Sequence, residues 1–143
     1  METLGRYQIL GELGRAGMID HVSIPVRDLA AGTRFYEAVL APLGMTRLDT
    51  RPATVGFGKT YPEFWINLRQ DLTPAPAAHG AHVCLRARST EIVDAFHAAA
   101  LAAGGASDGA PGFRPQHGEG YYAAFIRDAD GNRIEAVTFV GKR

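Results

Sequence analysis

Residues 18–44 read MIDHVSIPVRDLAAGTRFYEAVLAPLG, and residues 79–105 read HGAHVCLRARSTEIVDAFHAAALAAGG, which repeats the same pattern of residue types 61 positions later. Aligned without a gap, the two copies place His21 opposite His82, each at the opening of an apolar stretch. A period this long, with two copies that fill almost the whole chain, is typical of a duplicated small module rather than of a solenoid. Because the duplication brings two histidines to equivalent positions, we expect the two modules to share one functional site.

Each copy is predicted to contain one strand, one helix and three further strands. Alternating apolar residues give way to helical spacing after Asp28 and after Ser89, which are both typical N-cap residues. The strands of the first copy are expected at residues 19–26, 45–50, 53–58 and 64–69. Those of the second copy are expected at residues 81–87, 112–115, 121–127 and 133–140. The stretch 112–115 is expected to be irregular because it lies in a long Gly- and Pro-rich loop, and the sequence DADGN at residues 128–132 predicts a hairpin turn.

Length and composition favour one globular domain. With 143 residues, of which 46% are hydrophobic, the chain can bury one core, which the two copies share. We expect a single domain over residues 18–143 that follows an extension or leader at residues 1–17. Its parts are module one at 18–71, a Pro- and Ala-rich linker at 72–80, and module two at 81–140.

The charge pattern and the cysteine count restrict the partners and the compartment. The 15 basic and 15 acidic residues balance, and no basic run occurs, so nucleic acid is not expected as a partner. Charged residues interrupt the first seventeen residues, which excludes a secretory signal or a membrane anchor there. The single cysteine, Cys84, cannot form an internal disulfide, which favours a reducing compartment and predicts a cytoplasmic protein.

Several longer motifs resemble one known family. The strings MIDHVSIPVRDL, RFYEAVLAPLGM, VDAFHAAALAAGG and DGNRIEAV resemble small bacterial glyoxalase-like proteins of the vicinal oxygen chelate superfamily. That superfamily includes glyoxalase I, fosfomycin-resistance thiol transferases, extradiol dioxygenases and bleomycin-binding proteins. The resemblance covers residues 18–140 and implies an α+β fold in which paired βαβββ modules form an open barrel around a cleft. The resemblance indicates the fold more specifically than the function, because one fold supports several unrelated reactions.

The resemblance also implies a metal site. Carried over by position, its ligands are His21 and His82 from the first strands and Glu135 from the last strand of module two. The fourth position holds Trp65, which cannot bind a metal, so two histidines and one carboxylate remain. Such a set leaves a divalent ion with open positions for a substrate and suits Zn, Ni, Mn, Co or Fe, among which the sequence does not choose. The alternative is that both histidines are hydrogen-bonded strand residues and that Glu135 pairs with a nearby arginine.

Further site residues are expected around the cleft. Glu135 and Tyr122 are the candidates for catalytic acid and base chemistry. Trp65, Phe57, Tyr122 and His117 are the candidates for contacts with the substrate. For Phe57 the alternative is a place in the core, and for His117 it is a solvated loop.

Two classes of function follow from these residues. The first is a metal-dependent lyase, isomerase, group transferase or ring-cleaving dioxygenase that acts on a small oxygen-rich substrate. The second is a metal-free protein of the bleomycin-resistance type that binds a drug-like molecule in the cleft. In either class we expect a homodimer, because two open sheets leave edges and apolar faces that a second copy can cover.

Overall fold

The computed structural model describes residues 17–141, so the extension expected at residues 1–17 lies outside the described residues except for Gly17. Both modules have the predicted order of one strand, one helix and three strands. Module one consists of β1 (Val22–Val26), α1 (Leu29–Leu40), a short 3-10 helix (Ala41–Leu43), β2 (Thr46–Thr50), β3 (Thr54–Gly58) and β4 (Phe64–Leu68). Module two consists of β5 (Val83–Arg86), α2 (Thr90–Ala102), β6 (Ala106–Phe113), a short 3-10 helix (Pro115–His117), β7 (Tyr121–Arg127) and β8 (Arg133–Phe139).

Both helices begin at the predicted caps. The Asp28 side chain accepts a hydrogen bond from the Ala31 backbone N–H at 3.0 Å, and the Ser89 hydroxyl accepts one from the Ile92 N–H at 3.2 Å. Each bond satisfies a backbone donor that has no partner inside its helix, which contributes about 1 kcal/mol. The chain leaves the 3-10 helix after α1 at Gly44, whose φ of 81° is a left-handed conformation that favours glycine.

Each module forms its own four-stranded sheet, ordered β1-β4-β3-β2 in module one and β5-β8-β7-β6 in module two. The first and last strands of each module are parallel neighbours, and the other pairs are antiparallel. The α+β class is therefore confirmed, and the two sheets are not closed into a barrel over the described residues. The registers match between modules, because Ser23 lies opposite Trp65 and Cys84 lies opposite Glu135. Trp65 is thus the structural counterpart of Glu135.

One hydrophobic core spans both modules. Helices α1 and α2 contact each other, and their buried residues join the inward-facing residues of both sheets in a single cluster. Phe35, Tyr36 and Leu40 of α1 belong to this cluster together with Val93 and Phe96 of α2. Burying each such side chain stabilises the fold by about 1.5–3 kcal/mol, so the modules support each other.

The predicted hairpin after β7 is present and joins the modules. The Asp128 carboxylate accepts hydrogen bonds from the backbone N–H groups of Asp130 and Asn132, both at 2.9 Å. Its other oxygen accepts one from the buried Tyr36 hydroxyl of α1 at 2.6 Å. A short polar side chain that bonds to backbone groups further along the chain is the usual way to fix such a turn. Asp128 therefore fixes both the hairpin and its position against module one.

The largest difference from prediction concerns β6. A short irregular strand was expected at residues 112–115, whereas the structure has an eight-residue strand at Ala106–Phe113. The register of β6 against β7 shifts twice, between Ser107 and Gly109 and between Gly109 and Gly112. A Gly- and Pro-rich stretch has little intrinsic strand preference, so pairing with β7 determines the strand. Elsewhere the strand ends differ by a few residues, and β1 begins after His21.

Candidate functional site

The candidate site lies on the side of the module-two sheet that faces away from the helices, which we call the open face. In β8, Ile134 and Ala136 belong to the core cluster, so Glu135 between them points to the open face. Despite this position Glu135 is only 2% exposed. His82 Nε2 donates to Glu135 Oε1 at 3.0 Å, and the Tyr121 hydroxyl donates to Oε2 at 2.5 Å. Both carboxylate oxygens therefore have partners, as a buried charge requires.

Burial, and after it the Glu135 carboxylate, keep the neighbouring Tyr121 and Cys84 side chains protonated. Burial raises the pKa of the Tyr121 hydroxyl, and the hydrogen bond to Glu135 raises it further. Burial and the negative charge of Glu135 raise the pKa of the Cys84 thiol to about 12. Because a thiol is nucleophilic only as a thiolate, Cys84 is unsuited to nucleophilic catalysis. Tyr121 is a hydrogen-bond donor at neutral pH rather than a base.

His21 lies apart from this pair. It precedes β1 and donates from Nδ1 to the Asp20 carboxylate at 2.7 Å. Asp20 and His21 border two adjoining clefts. The junction cleft, of about 360 Å³, also contains Glu63, His82 and Cys84. The module-one cleft, of about 540 Å³, lies on the side of the module-one sheet that faces away from the helices, and it also contains Trp65.

The donors partly fit the implied metal. Two atoms that bind one ion at about 2.1 Å each lie no more than about 4 Å apart, and the 3.0 Å between His82 Nε2 and Glu135 Oε1 meets this condition. The Asp20 bond fixes Nδ1 of His21 and leaves Nε2 as its ligand nitrogen, an arrangement common in metal sites. Among residues 17–141, however, no three His, Cys, Asp or Glu side chains are close enough together to hold an ion. Two of the three expected ligands are therefore brought together, and His21 is not.

Two residues predicted for the site lie elsewhere. The Tyr122 side chain points to the helix side of the sheet, where its hydroxyl donates to Asp94 of α2 at 2.6 Å. Tyr121 takes the place expected of Tyr122, because adjacent residues of a strand point to opposite faces. Phe57 is 0% exposed and belongs to the core cluster, so it fills core space and does not line a cleft.

Of the other two predicted contact residues, His117 lies beside Tyr121 and Trp65 lines the module-one cleft. The ring of His117, which ends the second 3-10 helix, lies 5.3 Å from the Tyr121 ring between centroids. Trp65 lies in the module-one cleft, with the Arg51 guanidinium 4.9 Å above its ring centroid. His117 is thus beside the Glu135 network, whereas Trp65 belongs to the neighbouring cleft.

The sequence contains a signal that selects Tyr121 rather than Tyr122 as the neighbour of Glu135. The hairpin at residues 128–132 sets the register in which Phe125 pairs with Glu135 and Arg127 pairs with Arg133. In an antiparallel pair, directly opposite residues share a face, as do alternate residues along each strand. Counting back from Phe125 in steps of two reaches Tyr121 and excludes Tyr122.

Paired βαβββ modules, with a histidine and a glutamate on an uncovered sheet face, define the class of glyoxalase-like α+β proteins. The model of the Glyoxalase/Bleomycin resistance protein/Dioxygenase superfamily matches residues 18–136, and the chain belongs to this superfamily. None of the curated proteins matches the chain.

Solved structures agree with this assignment. A glyoxalase/bleomycin resistance protein from Albidiferax ferrireducens is 35% identical, with a TM-score of 0.73 over 85% of this chain and 98% of that chain. A glyoxalase/bleomycin resistance protein/dioxygenase family enzyme from Burkholderia phytofirmans is 20% identical, with a TM-score of 0.66 over 87% and 100% of the two chains. The genomically encoded fosfomycin resistance protein FosX from Listeria monocytogenes is 17% identical, with a TM-score of 0.63 over 85% and 93%. The last two show a shared fold. Neither helix of the described chain is long and apolar enough to cross a membrane.

Proposed function

We propose that this chain is a metal-dependent glyoxalase-like enzyme, in which His82 and Glu135 supply two ligands of a divalent ion and His21 supplies the third. The supporting observation is the buried Glu135 carboxylate on an otherwise open sheet face, with an imidazole nitrogen 3.0 Å from one oxygen. Placing a carboxylate in such a position is costly unless it has partners. Imidazole and carboxylate ligands together suit Zn, Ni, Mn, Co and Fe.

The bound ion would act as a Lewis acid on a small substrate with adjacent oxygens. The chain's own residues hold and orient the ligands. Tyr121 fixes one oxygen of Glu135, which leaves the other directed at His82. Glu135 is the candidate base, and Tyr121, which remains protonated, replaces Tyr122 as the candidate donor. His117 lies next to Tyr121 at the exposed margin of the site.

We also propose that the protein is a homodimer that takes a small molecule as its substrate. In the described chain each sheet ends at two edge strands that pair with one neighbour only, β1 and β2 in module one and β5 and β6 in module two. His21 and His82 line the same junction cleft, and in this proposal the third ligand is His21 of the same chain, turned away from Asp20, or His21 of a second copy. Size-exclusion chromatography with light scattering tests the proposed homodimer, and a monomer at micromolar concentration contradicts it. The free Cys84 thiol favours a reducing compartment, and we propose the cytoplasm, which cell fractionation tests.

Metal analysis is the decisive experiment. Untagged protein purified without chelator is analysed by mass spectrometry beside His82→Ala, Glu135→Gln and Tyr121→Phe variants. The matched control is His79→Ala, because His79 is an exposed linker histidine. We expect near-stoichiometric metal in the parent and the control, and little in His82→Ala and Glu135→Gln. Tyr121→Phe should keep metal with an affinity about 10–100-fold lower, since it removes a partner of a ligand rather than a ligand. No metal in the parent, even after reconstitution with Mn, Fe(II), Co, Ni and Zn, refutes the proposal.

A second candidate is a metal-free binding protein of the bleomycin-resistance type. It is favoured by one observation, namely that hydrogen bonds from His82 and Tyr121 engage both Glu135 oxygens. This function predicts that ligand affinity is the same with and without chelator. The enzyme predicts that chelator and His82→Ala both abolish turnover.

A further inference from the structure

We propose that a cavity of about 340 Å³ between the two helices and the hairpin at residues 128–132 binds a small organic cation, namely a protonated amine with a compact apolar body. We call this cavity the helix-side cavity. It shares no lining residue with the junction cleft or the module-one cleft. Binding there goes beyond the proposed function, because it requires neither a metal nor Glu135.

The apolar part of the helix-side cavity is preformed. Its volume is typical of small-molecule sites, and Phe35 of α1 and Ala103 at the end of α2 contribute apolar surface. The Phe35 ring packs edge-on against Tyr36, at 4.9 Å between centroids. Gly105 approaches the same ring so closely that a Cβ atom there would lie 2.8 Å from a ring carbon. A wall that is already fixed in this way loses little freedom when a ligand binds.

Asp130 supplies the cavity with a nearly buried carboxylate that has a free oxygen. The Asp130 side chain is 10% exposed, and its Oδ1 accepts hydrogen bonds from Arg27 Nε at 2.7 Å and from the Arg27 backbone N–H at 3.2 Å. Its Oδ2 accepts no hydrogen bond from the described residues. Within residues 17–141, Arg127 Nε is the one fully buried side-chain nitrogen or oxygen without a partner, so Oδ2 is not sealed off. Because Asp130 lines the cavity, Oδ2 is available there to a donor.

The charges around the cavity favour a cation. Its lining includes three carboxyl groups, those of Asp28, Asp128 and Asp130, and one guanidinium, that of Arg27. Arg27 already has partners, because besides Asp130 it donates from Nη2 to the Ala129 carbonyl at 3.1 Å. An anion in the cavity would face more negative than positive charge. An ammonium group instead donates a charge-assisted hydrogen bond to the free carboxylate oxygen.

The end of α2 adds to the same preference. Ala103 and Gly104, which follow the last residue of this helix, line the cavity, and the last turn of α2 contains no basic residue. The C-terminal end of a helix carries a partial negative charge that a cation stabilises. The N-terminal end of α1 also borders the cavity, but the Asp28 cap balances its partial positive charge. Both helix ends therefore leave the balance of charge in favour of an ammonium group.

Three probes with the same ring isolate the effect of charge. They are cyclohexylammonium, cyclohexanol and cyclohexanecarboxylate, each titrated near neutral pH into isotope-labelled protein and followed through the backbone amide NMR signals. We expect saturable shifts with the ammonium, centred on the amides of Ala31, Ala103 and Ala129 of the cavity lining. The alcohol should bind about tenfold more weakly, because it lacks the ionic contact, and the carboxylate should not bind.

Two substitutions of the ion pair should act in opposite directions. Asp130→Asn removes the charge that holds the ammonium and should weaken cyclohexylammonium binding about tenfold. Arg27→Gln removes the guanidinium that competes for Asp130 and should tighten binding about two- to fivefold. General destabilisation of the hairpin would instead weaken binding in both variants.

A substitution that fills the cavity tests its location. Ala31 is an exposed residue of α1 at the cavity, and Ala31→Leu should abolish binding by occupying the space. The matched control is Ala38→Leu, because Ala38 is also exposed on α1 but does not line the cavity. Leucine is a good helix former, so both variants should keep α1 intact.

Four results would overturn the proposal. They are equal binding of the ammonium and either of the other probes, shifts centred on the amides of Tyr121 and Glu135, equal binding by Ala31→Leu and Ala38→Leu, and weaker binding by Arg27→Gln. The absence of saturable binding at millimolar cyclohexylammonium would overturn it as well. Saturable binding of the ammonium alone, lost in Ala31→Leu and strengthened in Arg27→Gln, supports it.

Discussion

Replacing Tyr36 by phenylalanine should destabilise the whole chain, because its hydroxyl connects α1 of module one to the hairpin of module two. Tyr36 is 0% exposed, and its hydroxyl donates to Asp128 Oδ2 at 2.6 Å. Burial and the nearby Asp128 charge raise the pKa of Tyr36, so the hydroxyl remains a donor at any practical pH. Tyr36→Phe keeps the ring and its contact with Phe64, at 5.1 Å between centroids. The substitution therefore removes one hydrogen bond and creates almost no cavity.

The structure sets the expected size of the effect. After the substitution, Asp128 Oδ2 keeps the Asn132 side-chain amide at 2.9 Å as its partner. A buried hydrogen bond to a charged group contributes about 1.5–3 kcal/mol to the free energy of unfolding. With a urea dependence of about 2 kcal/mol per molar for a protein of this size, the unfolding midpoint should fall by about 1 M.

Tyr122→Phe provides a matched control. The Tyr122 hydroxyl also donates to a carboxylate, Asp94, at the same 2.6 Å, but at the surface. We expect a loss of less than about 1 kcal/mol there, because water replaces the lost partner. Both variants are compared with the parent by urea unfolding, followed by circular dichroism and by Trp65 fluorescence. Since Trp65 belongs to module one, coincident transitions also test whether the modules unfold together.

The pH dependence gives a second test of the same bond. Burial raises the pKa of Asp128, and the Tyr36 hydrogen bond opposes that rise. The bond therefore stabilises the fold while Asp128 is ionised, and this contribution is lost as the pH falls through the pKa of Asp128. The deficit of Tyr36→Phe should be largest near neutral pH and should shrink in acid. Equal losses in both variants, or a deficit that is constant with pH, would refute the reasoning.

Three further outcomes are expected. Burial lowers the pKa of His97, although Asp94 opposes the shift, so the unfolded chain takes up the proton first as the pH drops. The free energy of unfolding should therefore fall between about pH 7 and about pH 5. The urea midpoint should fall less over this range in His97→Gln than in the parent, and an identical fall contradicts the assignment to His97. Gly131 has a φ of 83°, and a Cβ there would lie 2.8 Å from a backbone oxygen, so Gly131→Ala should lose about 1–3 kcal/mol in thermal unfolding. Gly80→Ala, in open space, should change stability by less than about 0.5 kcal/mol, and similar losses at both glycines would count against the backbone explanation. Phe57→Ala should lower the free energy of unfolding in urea by about 3–5 kcal/mol, because Phe57 lies in the core. A loss below about 1 kcal/mol would contradict the core position and favour a place in the cleft.

Much of the fold could be predicted because its signals are local. The caps at Asp28 and Ser89 and the turn at residues 128–132 each depend on residues a few positions apart. The repeat then gave the order of elements in both modules, and the equivalence of Trp65 and Glu135 is present in the strand registers. The strand β6 was largely missed, because its glycines have no strand preference and only pairing with β7 orders them.

The site was predicted less completely. The pairing of His82 with Glu135 agrees with the sequence hypothesis, since both residues belong to neighbouring strands of one module. His21 belongs to the other module, and no local pattern sets its distance from that pair. The structure places Tyr121 rather than Tyr122 beside Glu135, because adjacent residues of a strand point to opposite faces.

The sequence by itself determined the duplicated βαβββ modules, their caps and turns, and which residue types occupy equivalent positions in the two copies. Only the tertiary structure decided which face of each strand is covered by helices, which placed Phe57 in the core and Tyr121 against Glu135. It also decided that His21 and His82 line the same junction cleft although, among residues 17–141, no three potential ligands come close enough to hold an ion. The physical reason is that sequence periodicity shows which residues of a strand share a face, but not which face is buried. Packing between elements that are distant in the sequence selects the buried face, and it also sets the distance between side chains of the two modules.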